Sequence, residues 1–85
     1  MFHYVYILRS KITPTKTYIG YTTNLNNRLH THNTGQSTHT AKHHPWQIET
    51  AIALTTKQKA LCLEKYLKSS SGKAFASKHF YTAFS

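Results

Sequence analysis

The sequence predicts a small α/β domain, with a three-stranded antiparallel or mixed sheet flanked by helices in the order ββαβα(α). Three observations predict it. Short runs of β-branched and aromatic residues alternate with polar turns near both ends of the first half. Two Thr/Asn cap signals each precede a segment of helical periodicity. A third alternating run separates those helices, so strands and helices interleave.

Each element follows from its residues. Tyr4 to Arg9 is rich in β-branched and aromatic side chains and reads as strand one. Lys11, Thr13 and Pro14 mark a turn, and Lys16 to Gly20 resumes as a second short strand, giving a hairpin. Thr22-Thr23-Asn24 offers N-cap oxygens to the free N–H groups of a first helical turn. Leu25, Leu29 and His32 then repeat at helical spacing, so a helix runs to about Asn33, with Gly35 just past its end. Residues 34–45 form a polar, basic loop, long enough to be a functional candidate. Trp46, Ile48, Thr50, Ile52 and Leu54 alternate on one face of a third strand. Thr55-Thr56 caps a second helix from Lys57 to about Ser70, stopped by Gly72, and a short third helix is expected from Lys73 to about Phe80. No internal repeat or linker divides the chain, so residues 1–85 are expected to be a single domain.

Charge narrows the function. The 85 residues hold 11 Lys and Arg against two acids, a net charge of +9 before counting seven His. That balance excludes an acidic buffer, an EF-hand and any site of several clustered carboxylates. It favours a polyanionic partner, nucleic acid before anionic membrane. One cysteine, Cys62, excludes an internal disulfide. Its setting between Leu61 and Leu63 predicts a small buried hydrophobe. No apolar run approaches the ~20 residues of a membrane span. The N-terminal residues lack a signal-peptide pattern, so a cytoplasmic location is expected.

Four groups of residues could carry chemistry. Glu64 falls between Leu61 and Leu67 on the apolar stripe of helix two. A carboxylate there needs a partner. It is either an ion pair with Lys68, worth ~0.3–0.5 kcal/mol if exposed, or a ligand to a hard divalent cation. Arg28, one of two arginines, shares a helix face with His32. Its planar guanidinium suits bidentate phosphate binding, or it is a solvated residue whose stem covers apolar surface. Tyr4 and Tyr6 face one side of strand one, and Tyr18 lies on the neighbouring strand. Core packing competes with catalysis for each. A phenol of pKa ~10 acts as a base only beside a group that takes its proton, which His32 can do. The seven histidines show no zinc spacing.

At this point the spacing resembles a known family. Tyr4-Val5-Tyr6-Ile7-Leu8, then Thr17-Tyr18-Ile19-Gly20, then the segment Asn27 to Asn33 with Arg28 eight after the glycine, then Glu64 resemble the GIY-YIG nuclease domain. The small single-domain bacterial members are the nearest type. The second motif is literal; Tyr4-Val5-Tyr6 stands where Gly-Ile-Tyr is usual. The resemblance implies a metal-dependent DNA endonuclease. It makes Tyr6 the general base for water, Tyr18 an orienting phenol, and Gly20 an open patch of sheet where substrate backbone approaches. It makes Arg28 the phosphate ligand, His32 the partner of the base, and Glu64 the ligand of a single Mg²⁺ or Mn²⁺. Tyr21 stands where many members carry lysine, and no asparagine follows Asn33. DNA backbone contacts are expected from Lys42, His43 and His44 in the loop and from Lys73 and Lys78 near the C-terminus. Little sequence specificity and no obligate protein partner are expected. A non-catalytic DNA- or RNA-binding module on the same fold is the alternative. A membrane-surface role lacks the long basic amphipathic helix it needs.

Overall fold

The structure is a computed structural model and describes residues 1–81, so the last four residues of the expected domain lie outside the described residues. Strand β1 (His3–Ser10) and strand β2 (Thr17–Thr22) form a hairpin, followed by helix α1 (Leu25–Asn33). A single 3-10 turn (Ala41–His43), strand β3 (Trp46–Leu54), helix α2 (Lys57–Leu67) and helix α3 (Ser70–His79) complete the order. The sheet is wholly antiparallel with β1 in the centre, in the order β2-β1-β3. The expected α/β class and ββαβαα order hold. No described helix is long and apolar enough to cross a membrane.

The caps act as their residue types require. Asn24 accepts from the Asn27 N–H at the start of α1, and Thr56 accepts from the Lys59 N–H at the start of α2. Each holds an amide that would otherwise lack an intrahelical acceptor.

The central strand separates two cores. Tyr6 and Leu8 pack with Trp46, Tyr18, Leu25 and Leu29 on the α1 face. Val5 and Ile7 pack with Ala60, Leu67 and Ala76 on the face covered by α2 and α3. Strand β3 contributes to both, because its pairing with β1 slips between Ile7 and Leu8. Leu8 pairs with Ile48 but Ile7 pairs with Thr50, leaving Glu49 as the extra residue. Trp46 and Ile48 therefore face α1, while Thr50, Ile52 and Leu54 face the other side. The expected single alternating face is corrected by this bulge, since one inserted residue reverses every side chain after it. Glu49 is half-buried and ion-paired with Arg9 at 2.9 Å. The Arg9 guanidinium also lies over the Tyr81 ring, 4.8 Å from its centre.

Three further expectations change at the C-terminal end. Helix α2 ends at Leu67 and α3 begins at Ser70, where Ser69 accepts from the Gly72 N–H as N-cap. Gly72 thus starts a helix where it was expected to end one. A Cβ on it would lie 1.8 Å from the Tyr66 carbonyl oxygen, so the two helices turn this tightly because Gly72 has no side chain. The inward residues of α2 are Ala60, Leu63 and Leu67, with Leu61 exposed. That rotation puts Cys62 on the solvent side, correcting its expected burial.

Candidate active site

The hairpin and α1 assemble a polar cluster inside the α1-face core. Tyr6 comes from the middle of β1, directly opposite Gly20 on β2. A Cβ on Gly20 would lie 2.3 Å from the Tyr6 hydroxyl oxygen and 2.5 Å from its Cζ. Gly20 is buried, and the space left by its missing side chain is occupied by the Tyr6 phenol. The resemblance made Gly20 an open patch for substrate backbone; the structure corrects this, because the Tyr6 ring already covers it.

One turn of helix brings Arg28 and His32 onto the same phenol. Arg28 Nε donates to the Tyr6 hydroxyl at 3.4 Å, and His32 Nε2 lies 3.0 Å from it. His32 is fully buried, and its other nitrogen, Nδ1, meets Thr40 Oγ1 at 2.7 Å. Tyr18, opposite Leu8, sets its ring 5.0 Å from that of His32 and 6.4 Å from that of Tyr6. Four of the five expected catalytic residues therefore meet in one place.

Burial governs protonation here. Desolvation raises the Tyr6 pKa above the usual phenol value, opposed by the Arg28 hydrogen bond and charge and assisted by Tyr18 and Glu64. Desolvation, then the Arg28 charge, lowers the His32 pKa below the usual imidazole value. The Tyr6 hydrogen bond is the main cause holding the Arg28 pKa above its ordinary value. At neutral pH the cluster is a neutral phenol and a neutral imidazole beside a fixed cation.

Glu64 stands on α2, and its charge is the smallest of the named effects on the Tyr6 pKa. Its Oε2 pairs with Lys68 Nζ at 3.2 Å, and its side chain is 20% exposed. The ion-pair reading is thus realised. A metal role is compatible with the donor chemistry: a partly buried carboxylate would offer hard oxygen to Mg²⁺ or Mn²⁺. The described residues contain no group of three His, Cys, Asp or Glu that could hold an ion.

The expected substrate contacts divide. Lys42 is exposed on the 3-10 turn. His43 is tied down: its carbonyl accepts from Ser10 Oγ at 2.6 Å and its ring stands edge-on to Trp46. Lys73 lines a cleft of about 500 Å³ with Lys68, Thr17, Tyr18 and Tyr81. Lys78 is exposed in the last turn of α3. Sequence reasoning missed Thr40, which is 1% exposed inside a run of polar residues. Nothing periodic marks it; its burial is a product of the fold.

Comparison with known proteins identifies the family of the domain. The family model of the GIY-YIG catalytic domain matches residues 2–78. A solution NMR structure of the UPF0213 protein BH0048 from Bacillus halodurans is similar at 31% identity and a TM-score of 0.55, covering 94% of this chain and 87% of that one. No curated protein matches the chain. The matching domain is of nuclease type, with nucleic acid as its substrate. With the match running from strand β1 almost to the end of α3, the chain belongs to the GIY-YIG family.

Proposed function

We propose that the protein is a metal-dependent DNA endonuclease that hydrolyses a phosphodiester bond with water activated through Tyr6. The observation that carries the reading is the buried Tyr6 hydroxyl held between Arg28 Nε and His32 Nε2. A buried phenol is a poor base by itself, because burial disfavours its anion. Beside an unprotonated imidazole nitrogen it becomes a relay. Its oxygen takes the proton of the attacking water while its own proton passes to His32 Nε2.

Arg28 has two parts to play. At 3.4 Å its hydrogen bond to Tyr6 is long and readily given up. Swinging away opens the phenol to water and delivers a planar fork to the scissile phosphate, where it stabilises developing charge. Tyr18, half-buried beside His32, orients the water or phosphate. Glu64 is the residue that would hold Mg²⁺ or Mn²⁺, once Lys68 is displaced. When bound, the ion supplies charge stabilisation at the leaving oxygen.

Affinity comes from the basic surface, with Lys42, Lys73 and Lys78 as backbone contacts. Lys73 is the best supported. It lines the cleft beside Tyr18, and the acidic side chains Glu49 and Glu64 pair with Arg9 and Lys68.

The test is nicking of a panel of duplex, branched, flap and single-stranded DNAs with and without Mn²⁺. Glu64→Ala and Tyr6→Phe should abolish nicking and leave DNA affinity nearly unchanged. Binding without nicking by the wild type would make it a nucleic-acid-binding module. Nicking retained by both variants would place the chemistry elsewhere.

A further inference from the structure

The protons of the Tyr6–His32–Thr40 chain can be placed by elimination. Arg28 has no acceptor, so its Nε–H donates to the Tyr6 oxygen. Tyr6 is 1% exposed, and its remaining hydrogen-bond partner among the described residues is His32 Nε2. If Nε2 carried the proton, Tyr6 would accept twice and bury its own O–H without an acceptor, which proteins avoid. Tyr6 therefore donates to a bare Nε2. The neutral ring then carries its proton on Nδ1 and donates it to Thr40 Oγ1 at 2.7 Å.

Thr40 is fixed for this task from several sides. Its carbonyl accepts from Trp46 Nε1 at 2.9 Å, and its N–H donates to the Ser37 carbonyl at 3.2 Å. Trp46 is held in turn by Asn33, whose side-chain amide bonds both its backbone N–H and its carbonyl. The long polar loop is thus clamped between the end of α1 and the start of β3, with the Thr40 hydroxyl pinned against the imidazole.

We propose that Thr40 is a positioning residue: its hydroxyl holds His32 in the Nδ1–H tautomer and so keeps Nε2 open to the Tyr6 proton. The proposal rests on Tyr6 being the group that takes up the water proton. In that step the water O–H bond breaks and its proton joins the Tyr6 oxygen. The Tyr6 proton moves to His32 Nε2, and the water oxygen bonds to phosphorus as the bond to the leaving oxygen breaks. The leaving oxygen is protonated from solvent, and His32, now a cation, later returns its proton to solvent. While it is charged, the Nδ1–H···Oγ1 bond is charge-assisted and stronger, so Thr40 also stabilises the product of the transfer.

The test reads the tautomer directly. In the ¹⁵N-His-labelled full chain near pH 8, imidazole ¹⁵N shifts should show His32 protonated on Nδ1 and bare on Nε2, with His32→Gln used to assign the signals. Thr40→Val keeps the volume and removes the hydroxyl. It should move the proton toward Nε2 and slow nicking by on the order of 10- to 100-fold, as loss of an orienting partner does elsewhere. Thr40→Ser should restore both tautomer and rate. A wild-type His32 protonated on Nε2 overturns the proposal, and needs no variant to fold. So does an unchanged tautomer in Thr40→Val, or a Thr40→Ser that behaves like the valine. Full nicking by Tyr6→Phe, with the tautomer as expected, would instead overturn the Tyr6 reading on which the proposal depends.

Discussion

Replacing Gly20 by alanine tests the site through a single methyl group. Its Cβ would stand 2.3 Å from the Tyr6 oxygen and 2.5 Å from Cζ, where ordinary contact begins at 3.4 Å. The phenol end must therefore retreat by about 1.1 Å, the difference between 3.4 and 2.3 Å. Tyr6 sits in a closed core with Leu8, Trp46 and Leu29, so this is overpacking, costing about 1–3 kcal/mol. For a domain of this size each kcal/mol lowers the melting temperature by about 4–8 °C. A retreat of that size also takes the Tyr6 oxygen out of register with His32 Nε2 at 3.0 Å and Arg28 Nε at 3.4 Å. A misplacement of about 1 Å in a reacting group costs on the order of 100-fold in rate. Thermal melts and single-turnover nicking measure the two effects separately. Tyr6→Phe in the Gly20→Ala background should recover only part of the lost stability, because Cζ remains at 2.5 Å. A Gly20→Ala protein with wild-type melting temperature and nicking rate would refute the packing argument and the catalytic register built on it.

Stability should fall in mild acid. The folded chain holds the His32 pKa below its ordinary 6.5, mainly by burial, so the unfolded chain binds a proton the folded one refuses. The contribution is complete above the unfolded value and is lost as pH falls through the folded one. Urea unfolding midpoints at about pH 7.5 and pH 5 should show that loss, and His32→Gln should flatten it; an equal drop in the variant would assign the effect to other groups. Lys73→Ala should weaken DNA binding and reduce the slope of log affinity against log salt by about 0.9. An unaltered slope would remove Lys73 from the phosphate contacts. Gly72→Ala should destabilise at or beyond the upper end of the usual overpacking cost of about 3 kcal/mol, since its clash is with the Tyr66 backbone carbonyl. A melting temperature within a few degrees of wild type would mean that the α2–α3 turn opens freely.

Much of the fold was legible in the sequence. Helix α1 begins at the Asn24 cap and ends at Asn33 as the spacing predicts, because caps and apolar period act within one or two turns. Strand β2 runs two residues past the expected Gly20, to Thr22. The glycine there is a seat for Tyr6, not a stop. Within the site, the shared face of Arg28 and His32 was readable from helical geometry, and Tyr6 beside Tyr18 from strand alternation and hairpin pairing.

What the sequence determined by itself is local or additive: the strands and helices, the capping residues, and a charge of +9 that calls for a polyanion. What only the tertiary structure decided depends on residues distant in the chain. The bulge at Glu49 divides β3 between two cores, and it is visible only in the pairing with β1. The orientation of Cys62 follows from how α2 rolls onto the sheet. Above all, Thr40 acquires its part because the loop folds back onto α1, placing a hydroxyl against the nitrogen of His32 that faces away from Tyr6. Hydrogen bonds of this kind join side chains of no periodic relation. Burial then decides their protonation, because a buried polar group must find a partner and a buried neutral one keeps its proton where that partner requires.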